Sequence, residues 1–227
     1  MISAGLTGLY AITSAQQLES DFYLLSSTQA AFEGGVQILQ YRAKGQDASR
    51  TLRQARLLAK LCHEYKVLFL INDDPYLAKA CGADGVHLGQ QDCSIAKARQ
   101  LLGAQAIIGQ TCHASFDLAQ RAREQGADYL AFGRCFASQT KPEAPSARLE
   151  IFQQAATLGL PLVGIGGITP ETTGEVIRAG AQMIAVCDGL MNSPNPQQAA
   201  QQYQHALQEA NSFLFNEVQH DSLSRTF

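Results

Sequence analysis

Residues 67–92 read VLFLINDDPYLAKACGADGVHLGQQD, and this stretch decides the fold. It begins with five consecutive apolar residues, a pattern typical of a strand that is buried on both faces. Asp74 and Pro75 then supply a helix N-cap and a first helical residue. A second apolar run, GVHLG from Gly85, follows the helix. The stretch therefore predicts the order strand, helix, strand from which parallel sheets are built.

The same unit recurs along the chain, and its strands are short runs rich in Val, Ile, Leu and Phe. The eight strand candidates are LYAIT near Tyr10, VQILQYR from Val36, VLFLIND from Val67, GVHLG from Gly85, AIIGQTC from Ala106, YLAFGRC from Tyr129, PLVGIGG from Pro161 and MIAVCDG from Met183. Amphipathic segments with helical spacing lie between them, and several end in the glycine that suits a helix C-terminus.

Eight such units in 227 residues favour a closed (β/α)8 barrel, the TIM barrel, over an open doubly wound sheet. Periodicity alone leaves the open sheet as an alternative. We predict a single α/β barrel domain over residues 1–210, followed by a short C-terminal helical extension over residues 211–227.

The composition excludes several classes of function. The net charge is −3 and no basic cluster exceeds two residues, so the chain lacks an electrostatic footprint for nucleic acid or an anionic membrane. No apolar run approaches the roughly 18 residues that cross a bilayer, and the first residues lack a secretory signal. Six scattered cysteines without a CxxC pair favour reduced thiols. We expect a cytoplasmic protein that acts on small molecules; its oligomeric state, a homo-oligomer included, stays open.

Polar side chains are dense where the predicted strands end, which is where barrels of this type build their active sites. Alternation along the second strand aims Gln40, Arg42 and Lys44 at one side. Arg offers a planar fork of donors and Lys a compact charge, so this group suits a phosphate. A solvated strand end is the alternative for this strand taken alone, and the neighbouring strands favour the binding site.

Two carboxylates, Asp73 and Asp92, follow the third and fourth strands. Magnesium usually takes one or two carboxylates together with waters and substrate phosphates, so this pair predicts an Mg2+ site for a pyrophosphate. The alternative for aspartates here is helix capping. We assign Asp74 to capping before Pro75, whereas for Asp92 a metal ligand and a cap near Ser94 are equally compatible with the sequence.

A second anion site is predicted after strand seven. Gly166 and Gly167 precede Thr169 and Pro170, which open a helix at a place where barrels often bind phosphate. The longer loop 136–148 after strand six suits a cover for a bound ligand. Two anion sites at one barrel mouth indicate two phosphorylated substrates. Of the histidines near strand ends, His113 is the better active-site candidate and His87 the weaker, with structural roles favoured for both.

Seven blocks resemble the thiamine-phosphate synthase family in order and spacing between Leu9 and Leu190. They are LYAIT, LQYRAKG, LINDDPYLAKACGADGVHLGQQD, IIGQTCH, GADYLAFGR, TKP and GIGGIT. Single blocks are loose, but the ordered set is specific. The resemblance implies a transferase of thiamine biosynthesis that uses Mg2+. It would condense 4-amino-2-methyl-5-(diphosphooxymethyl)pyrimidine with 4-methyl-5-(2-phosphooxyethyl)thiazole to give thiamine phosphate and pyrophosphate.

The resemblance also implies roles for individual residues. The aminopyrimidine pyrophosphate would be bound by Gln40, Tyr41, Arg42, Ala43, Lys44, Asn72 and Lys141, and Mg2+ by Asp73 and Asp92. The thiazole phosphate would be bound by Ser138, Gln139, Thr140, Gly167 and the backbone at Cys187 and Asp188. Thr111 replaces the family's usual serine and keeps a hydroxyl donor. The catalytic set implied is Arg42, Lys44, Thr111 and Lys141.

The family's chemistry is physically reasonable, because pyrophosphate leaves well when Mg2+, Arg and Lys offset its developing charge. The thiazole nitrogen then attacks the methylene cation that remains. Three positions depart from the family: Arg134 and Ala137 stand where prolines are common, and Asp188 stands where a serine often contacts the thiazole phosphate. An altered phosphate geometry is our hypothesis for Asp188.

Three rival interpretations share the barrel. One is a thiazole tautomerase of the same superfamily, the second a catalytically silent barrel that binds thiamine precursors, and the third a sugar-phosphate isomerase or epimerase. The intact set of polar and charged side chains, Gln40, Arg42, Lys44, Asp73 and Asp92, argues against all three.

Overall fold

The computed structural model describes residues 6–137 and 147–224, with side chains described as far as Leu214. Its strands are β1 Gly8–Ile12, β2 Ile38–Tyr41, β3 Leu68–Asn72, β4 Gly85–Leu88, β5 Ile107–His113, β6 Tyr129–Gly133, β7 Leu162–Ile165 and β8 Met183–Val186. They close into a parallel barrel in sequence order, because β8 pairs with β1. The predicted (β/α)8 barrel is therefore confirmed, and the open sheet is wrong.

Helices form the outer layer of the barrel. They are α1 Asp21–Glu33, α2 Ala48–Tyr65, α3 Pro75–Cys81, α4 Ile95–Leu102, α5 Phe116–Glu124, α6 Glu150–Ala156, α7 Pro170–Arg178, α8 Asp188–Met191 and α9 Pro196–Ser224, with a 3-10 turn at Gln17–Glu19. Polar side chains cap several of them. At the start of α2, for example, the Asp47 carboxylate accepts the N–H groups of Ser49 and Arg50, which satisfies donors that a helix leaves unpaired.

The core has two layers because alternate residues of each strand face opposite sides of the barrel wall. Ile38 of β2 belongs to the barrel interior, together with Tyr10 and Tyr129. Leu39 and Tyr41 of the same strand pack outward between the strands and the helices. The inward positions nearest the strand ends therefore decide which side chains reach the barrel mouth.

The last helix, α9, packs against α1 and α7. The hydroxyl of Tyr203 donates to the carbonyl oxygen of Ile168 at 3.0 Å, which ties α9 to the loop after β7. The boundary expected after residue 210 falls within this helix, and the division into barrel and extension stays a prediction. Within the described ranges, no helix is both long and apolar enough to span a bilayer.

Candidate active site

Two carboxylates meet at the ends of β3 and β4. Asp73 adopts a left-handed backbone conformation with φ of 65°, and its N–H donates to the carbonyl oxygen of His87 at 2.8 Å. Asp92 lies in the loop after β4, where its Oδ2 accepts the N–H of Gly89 at 2.7 Å. Burial raises the pKa of Asp92, and the neighbouring Asp73 carboxylate raises it further. Two carboxylates this close disfavour each other's charge, and a cation between them would relieve that cost.

One cation is already present at this pair. The Nζ of Lys44 lies 3.2 Å from Oδ2 of Asp73 and also acts on Asp92, whose pKa it lowers. Lys44 follows β2, so three neighbouring strand ends contribute to one cluster of charges. The cluster places a cationic donor beside the two hard oxygen ligands, an arrangement suited to a metal-bound pyrophosphate.

Of the aspartates near these strand ends, Asp74 caps a helix and Asp92 does not. The Asp74 carboxylate accepts the N–H groups of Tyr76 and Leu77 and caps α3, as expected. The N-cap of α4 is Ser94, whose Oγ accepts the N–H of Lys97 at 3.2 Å. Asp92 therefore does not cap α4, and its carboxylate stays at the barrel mouth beside Asp73.

Alternation at the end of β2 separates five predicted ligand-binding residues into two groups. Gln40 is buried inside the barrel and donates from Nε2 to Oδ1 of Asn72 at 2.6 Å. The Tyr41 hydroxyl instead donates outward to Gln54 at 2.8 Å, and Ala43 also packs in the outer layer. Only the backbone of Tyr41 and Ala43 can therefore face a ligand at the mouth.

Arg42 is the second cation after β2. Its backbone N–H donates to the hydroxyl of Thr13 at 2.8 Å, next to the end of β1. Its positive charge also opposes the rise in the pKa of Cys187, which follows β8. The two cations thus extend the positive region from β3 round to β8, as two anionic substrates would require.

The barrel interior below this region carries a row of polar side chains. They are Thr111, His87, Tyr129, Tyr10, Gln40 and Asn72, each hydrogen bonded to the next. Tyr10 and Tyr129 were not among the site residues predicted from the sequence. One available signal was Gly109 inside the apolar strand β5, because a glycine there often marks the close approach of another group.

The two histidines near strand ends, His87 and His113, differ in their position relative to the barrel interior. His87 is inward-facing and its Nε2 lies 2.8 Å from the hydroxyl of Thr111, a predicted active-site residue. His113 is exposed and has φ of 51°, where the pairing of β5 with β6 shifts register. His87, and not His113, therefore lies against a predicted active-site residue, and the preference for His113 stays an untested prediction.

The loop after β7 packs closely on the residues that follow β6. Gly167 has φ of 67°, and a Cβ there would lie 2.3 Å from the carbonyl oxygen of Ala137. Gly166 accepts the N–H of Phe136 at 2.9 Å. At the start of α7, the backbone N–H of Thr169 then donates to the hydroxyl of Thr172 at 2.9 Å. Both glycines are required by close approach and by positive φ, besides any role in binding phosphate.

Asp188 opens α8, and its carboxylate is held within that turn. Oδ1 accepts from Nδ2 of Asn192 at 3.1 Å and from the Cys187 thiol at 3.5 Å. Burial, followed by the Asp188 carboxylate, raises the pKa of the Cys187 thiol to about 12. The thiol is therefore protonated at neutral pH, and the Asp188 charge is partly satisfied inside the protein.

The remaining predicted ligands of the two phosphates, Ser138, Gln139, Thr140 and Lys141, lie outside the described residues. Arg134 and Ala137, the departures from the family at the start of this loop, are described. The described part of the chain brings together no group of three or more His, Cys, Asp or Glu side chains able to hold a metal. Asp73 and Asp92 alone would leave most of a magnesium ion's ligands to water and substrate.

Comparisons with known proteins show the family to which the chain belongs. A family model described as thiamine monophosphate synthase matches residues 9–190. A thiamine-phosphate synthase from Marinobacter nauticus is 54% identical over 183 residues, which cover 81% of this chain and 82% of the relative. One from Saccharophagus degradans is 48% identical over 188 residues, covering 82% of this chain and 87% of the relative. The solved structure of a thiamine phosphate pyrophosphorylase from Pyrococcus furiosus has a TM-score of 0.81 and 30% identity, covering 91% of this chain and 98% of that one.

Proposed function

The chain belongs to the thiamine monophosphate synthase family and is a transferase that forms thiamine phosphate. From this premise, we propose which residues bind each substrate and which favour departure of pyrophosphate. The substrates are the aminopyrimidine pyrophosphate and the thiazole phosphate. The new bond joins the thiazole nitrogen to the methylene carbon of the pyrimidine. The bond from that carbon to the pyrophosphate oxygen breaks, and its electron pair leaves with pyrophosphate.

The observation that carries the proposal is the cluster of Asp73, Asp92 and Lys44. The carboxylates are close enough for Asp73 to raise the pKa of Asp92, and Lys44 contacts Asp73. Asp73 and Asp92 would hold a magnesium ion, and Lys44 would contact the pyrophosphate beside them. When bound, Mg2+ would offset charge that develops on the departing pyrophosphate.

The cations of β2 bind and orient the same substrate. Lys44 lies at the acidic pair, so its ammonium is placed to hold a metal-bound phosphate. Arg42 supplies a planar set of donors on the β8 side of the mouth. Lys141, by resemblance, reaches the same pyrophosphate. Together these cations stabilise the negative charge that develops on the pyrophosphate as it leaves. Electrostatic catalysis acts on charge that develops in the transition state.

The amides of Gln40 and Asn72 orient the aminopyrimidine. Gln40 is nearly inaccessible and bound to Asn72, so its amide is fixed before any substrate arrives. A fixed amide lowers the cost of holding the methylene carbon in line with the thiazole nitrogen. Thr111, at the end of the same polar row, completes this side of the site.

The thiazole phosphate binds on the opposite side of the mouth, at Gly167 and at the backbone of Cys187 and Asp188. By resemblance, Ser138, Gln139 and Thr140 contribute from the loop after β6. No protein nucleophile is needed, since the thiazole nitrogen supplies the electron pair. The Cys187 thiol is a poor nucleophile in any case, because its pKa is raised to about 12 by burial.

The test is pyrophosphate release by the purified protein from the aminopyrimidine pyrophosphate, with and without thiazole phosphate and Mg2+. We expect release only with all three present, accompanied by thiamine phosphate. Binding of both ligands without product would support a silent barrel, and exchange between thiazole tautomers alone would support a tautomerase. Since both substrates carry phosphate and cross membranes poorly, we place the reaction in the cytoplasm.

A further inference from the structure

Six consecutive strands each contribute one side chain to the polar row inside the barrel. Thr111 Oγ1 lies 2.8 Å from Nε2 of His87, and Nδ1 of His87 lies 2.8 Å from the hydroxyl of Tyr129. The hydroxyls of Tyr129 and Tyr10 are 2.9 Å apart. The row crosses the barrel at this pair, because β1 and β6 are not adjacent strands.

The far half of the row ends at the predicted pyrimidine site. The Tyr10 hydroxyl donates to Oε1 of Gln40 at 2.7 Å, and Nε2 of Gln40 donates to Oδ1 of Asn72 at 2.6 Å. Both ends of the row, Thr111 and Asn72, are therefore residues at the mouth, while its middle members are buried. A row of this kind connects two parts of one site through the interior.

The ring of Tyr129, in the middle of the row, is packed closely on several sides. A Cβ on Gly109 would lie 1.9 Å from Cζ of Tyr129, so only glycine at this position leaves room for the phenol ring. The ring of His87 stacks on Tyr129 at 5.5 Å, and Tyr10 meets Tyr129 edge-on at 6.2 Å. The rings are thus held by contacts on several sides, which restricts the directions of their hydrogen bonds.

With Oε1 of Gln40 facing Tyr10 and its Nε2 facing Asn72, a count of hydrogens gives one consistent direction for every hydrogen bond in the row. Burial raises the pKa of both tyrosines, so each hydroxyl keeps one hydrogen. Tyr10 uses its hydrogen on Gln40, so the hydrogen between the two hydroxyls belongs to Tyr129. Nδ1 of His87 must then donate to Tyr129.

The same count fixes the two ends of the row. In a neutral imidazole, a hydrogen on Nδ1 makes Nε2 an acceptor. In this tautomer of His87, Thr111 donates to Nε2 and presents an oxygen lone pair to the mouth, which reverses the hydroxyl donor that we expected there. At the other end, Asn72 accepts from Gln40 and presents the hydrogens of its amide nitrogen.

We propose that Tyr10, Tyr129 and His87 are positioning residues that set a donor at Asn72 and an acceptor at Thr111 for recognition of the aminopyrimidine. This inference rests on the proposed function. The chemistry matches, because an aminopyrimidine offers ring nitrogens that accept and an exocyclic amine that donates. None of the three residues needs to touch the substrate, since they act by fixing the side chains that do.

The first test is Tyr129→Phe, which removes the oxygen at the middle of the row and keeps the ring. We expect KM for the aminopyrimidine pyrophosphate to rise about tenfold, the worth of a buried hydrogen bond. KM for thiazole phosphate and inhibition by inorganic pyrophosphate should be unchanged, because neither involves the pyrimidine. The matched control is Tyr203→Phe, which removes another buried hydroxyl and should leave the KM for the aminopyrimidine pyrophosphate unchanged.

The second test uses the wild-type protein and does not depend on any variant folding. Nitrogen-15 spectra of the His87 ring should show a protonated Nδ1 and an unprotonated Nε2. The opposite tautomer would overturn the proposed direction of the row. A Tyr129→Phe variant with wild-type KM for both substrates would overturn the positioning role. Failure of the wild-type protein to form thiamine phosphate would instead overturn the proposed function.

Discussion

The Nζ of Lys44 lies 3.2 Å from Oδ2 of Asp73 and joins the end of β2 to the end of β3. The pair is largely exposed, so its contribution to folding is small, about 0 to 1 kcal/mol. Its importance lies in placing a positive charge beside the two carboxylates at which Mg2+ is proposed to bind. The pair is therefore a feature of the site, and its loss should affect binding far more than stability.

Lys44→Ala should raise KM for the aminopyrimidine pyrophosphate by about 10- to 100-fold, the range for a lost hydrogen bond to a charged group. The melting temperature should stay within a degree or two of wild type. Lys60→Ala is the matched control, because Lys60 makes an exposed ion pair with Glu64 on α2 at 3.9 Å. Equal kinetic effects of the two substitutions would contradict the assigned role.

Asp92→Asn should raise the Mg2+ concentration needed for half-maximal activity at least tenfold, because it removes one of two anionic ligands. Folding should not suffer, since the substitution relieves repulsion between two carboxylates that already raises the pKa of Asp92. The matched control is Asp74→Asn, one residue from Asp73, where asparagine keeps the helix cap. A magnesium titration of both variants decides the question, and identical curves would refute the metal role of Asp92.

Gly109→Ala should destabilise the protein by about 1 to 3 kcal/mol through overpacking against Tyr129. The same substitution in a Tyr129→Leu background should cost less than about 1 kcal/mol, because the smaller side chain leaves room for the methyl group. Urea unfolding of wild type, both single variants and the double variant measures the coupling. Additive free energies would show that Tyr129 does not occupy the space beside Gly109.

The thiols of Cys112, Cys135 and Cys187 should resist alkylation in the native protein at pH 8. Burial raises the pKa of Cys112 and Cys187 to about 12 and that of Cys135 to about 11. Because burial disfavours the charged thiolate, reactivity should appear only as the pH rises toward those values. Iodoacetamide labelling followed by mass spectrometry checks this, with urea-unfolded protein as the positive control. Fast labelling of Cys187 at pH 8 with loss of activity would contradict it.

Asp188→Ser should tighten binding of thiazole phosphate by up to about fivefold, the range for one partly screened charge. The gain is small because Asn192 and Cys187 already hold the carboxylate within α8. Asp188→Asn, which removes the charge and keeps the shape, should behave in the same way. Calorimetric titration of the three proteins with thiazole phosphate measures the difference, and unchanged affinity would make the departure at Asp188 unimportant.

Several features of the site could be predicted from local patterns. Alternation along β2 predicted that Gln40 faces one side of the strand with other polar residues, and the structure has Gln40 inside the barrel. The pair Asp74 and Pro75 predicted the start of α3 correctly. These predictions succeed because side-chain direction in a strand and capping at a helix start depend on residues only a few positions apart.

Other features depended on contacts between distant residues. The sequence left Asp92 between a cap and a ligand, and the structure assigns the cap to Ser94. It favoured His113 over His87 because His113 follows Thr111 near a strand end. The register shift between β5 and β6, which changes the position of His113, has no signature in the sequence of β5 alone. The role of Asp92 and the positions of the two histidines both depend on contacts between neighbouring βα units.

Short-range periodicity in the sequence was enough to predict the eight βα units and the polar residues that follow their strands, and the number of units favoured a barrel over an open sheet. Only the tertiary structure decided that Tyr10 and Tyr129, 119 residues apart, share a hydrogen bond at 2.9 Å. It also decided that Thr111 and Asn72 end one buried row. The physical reason is closure: the register in which β8 meets β1 fixes which inward side chains lie level across the barrel, and no local pattern encodes that register.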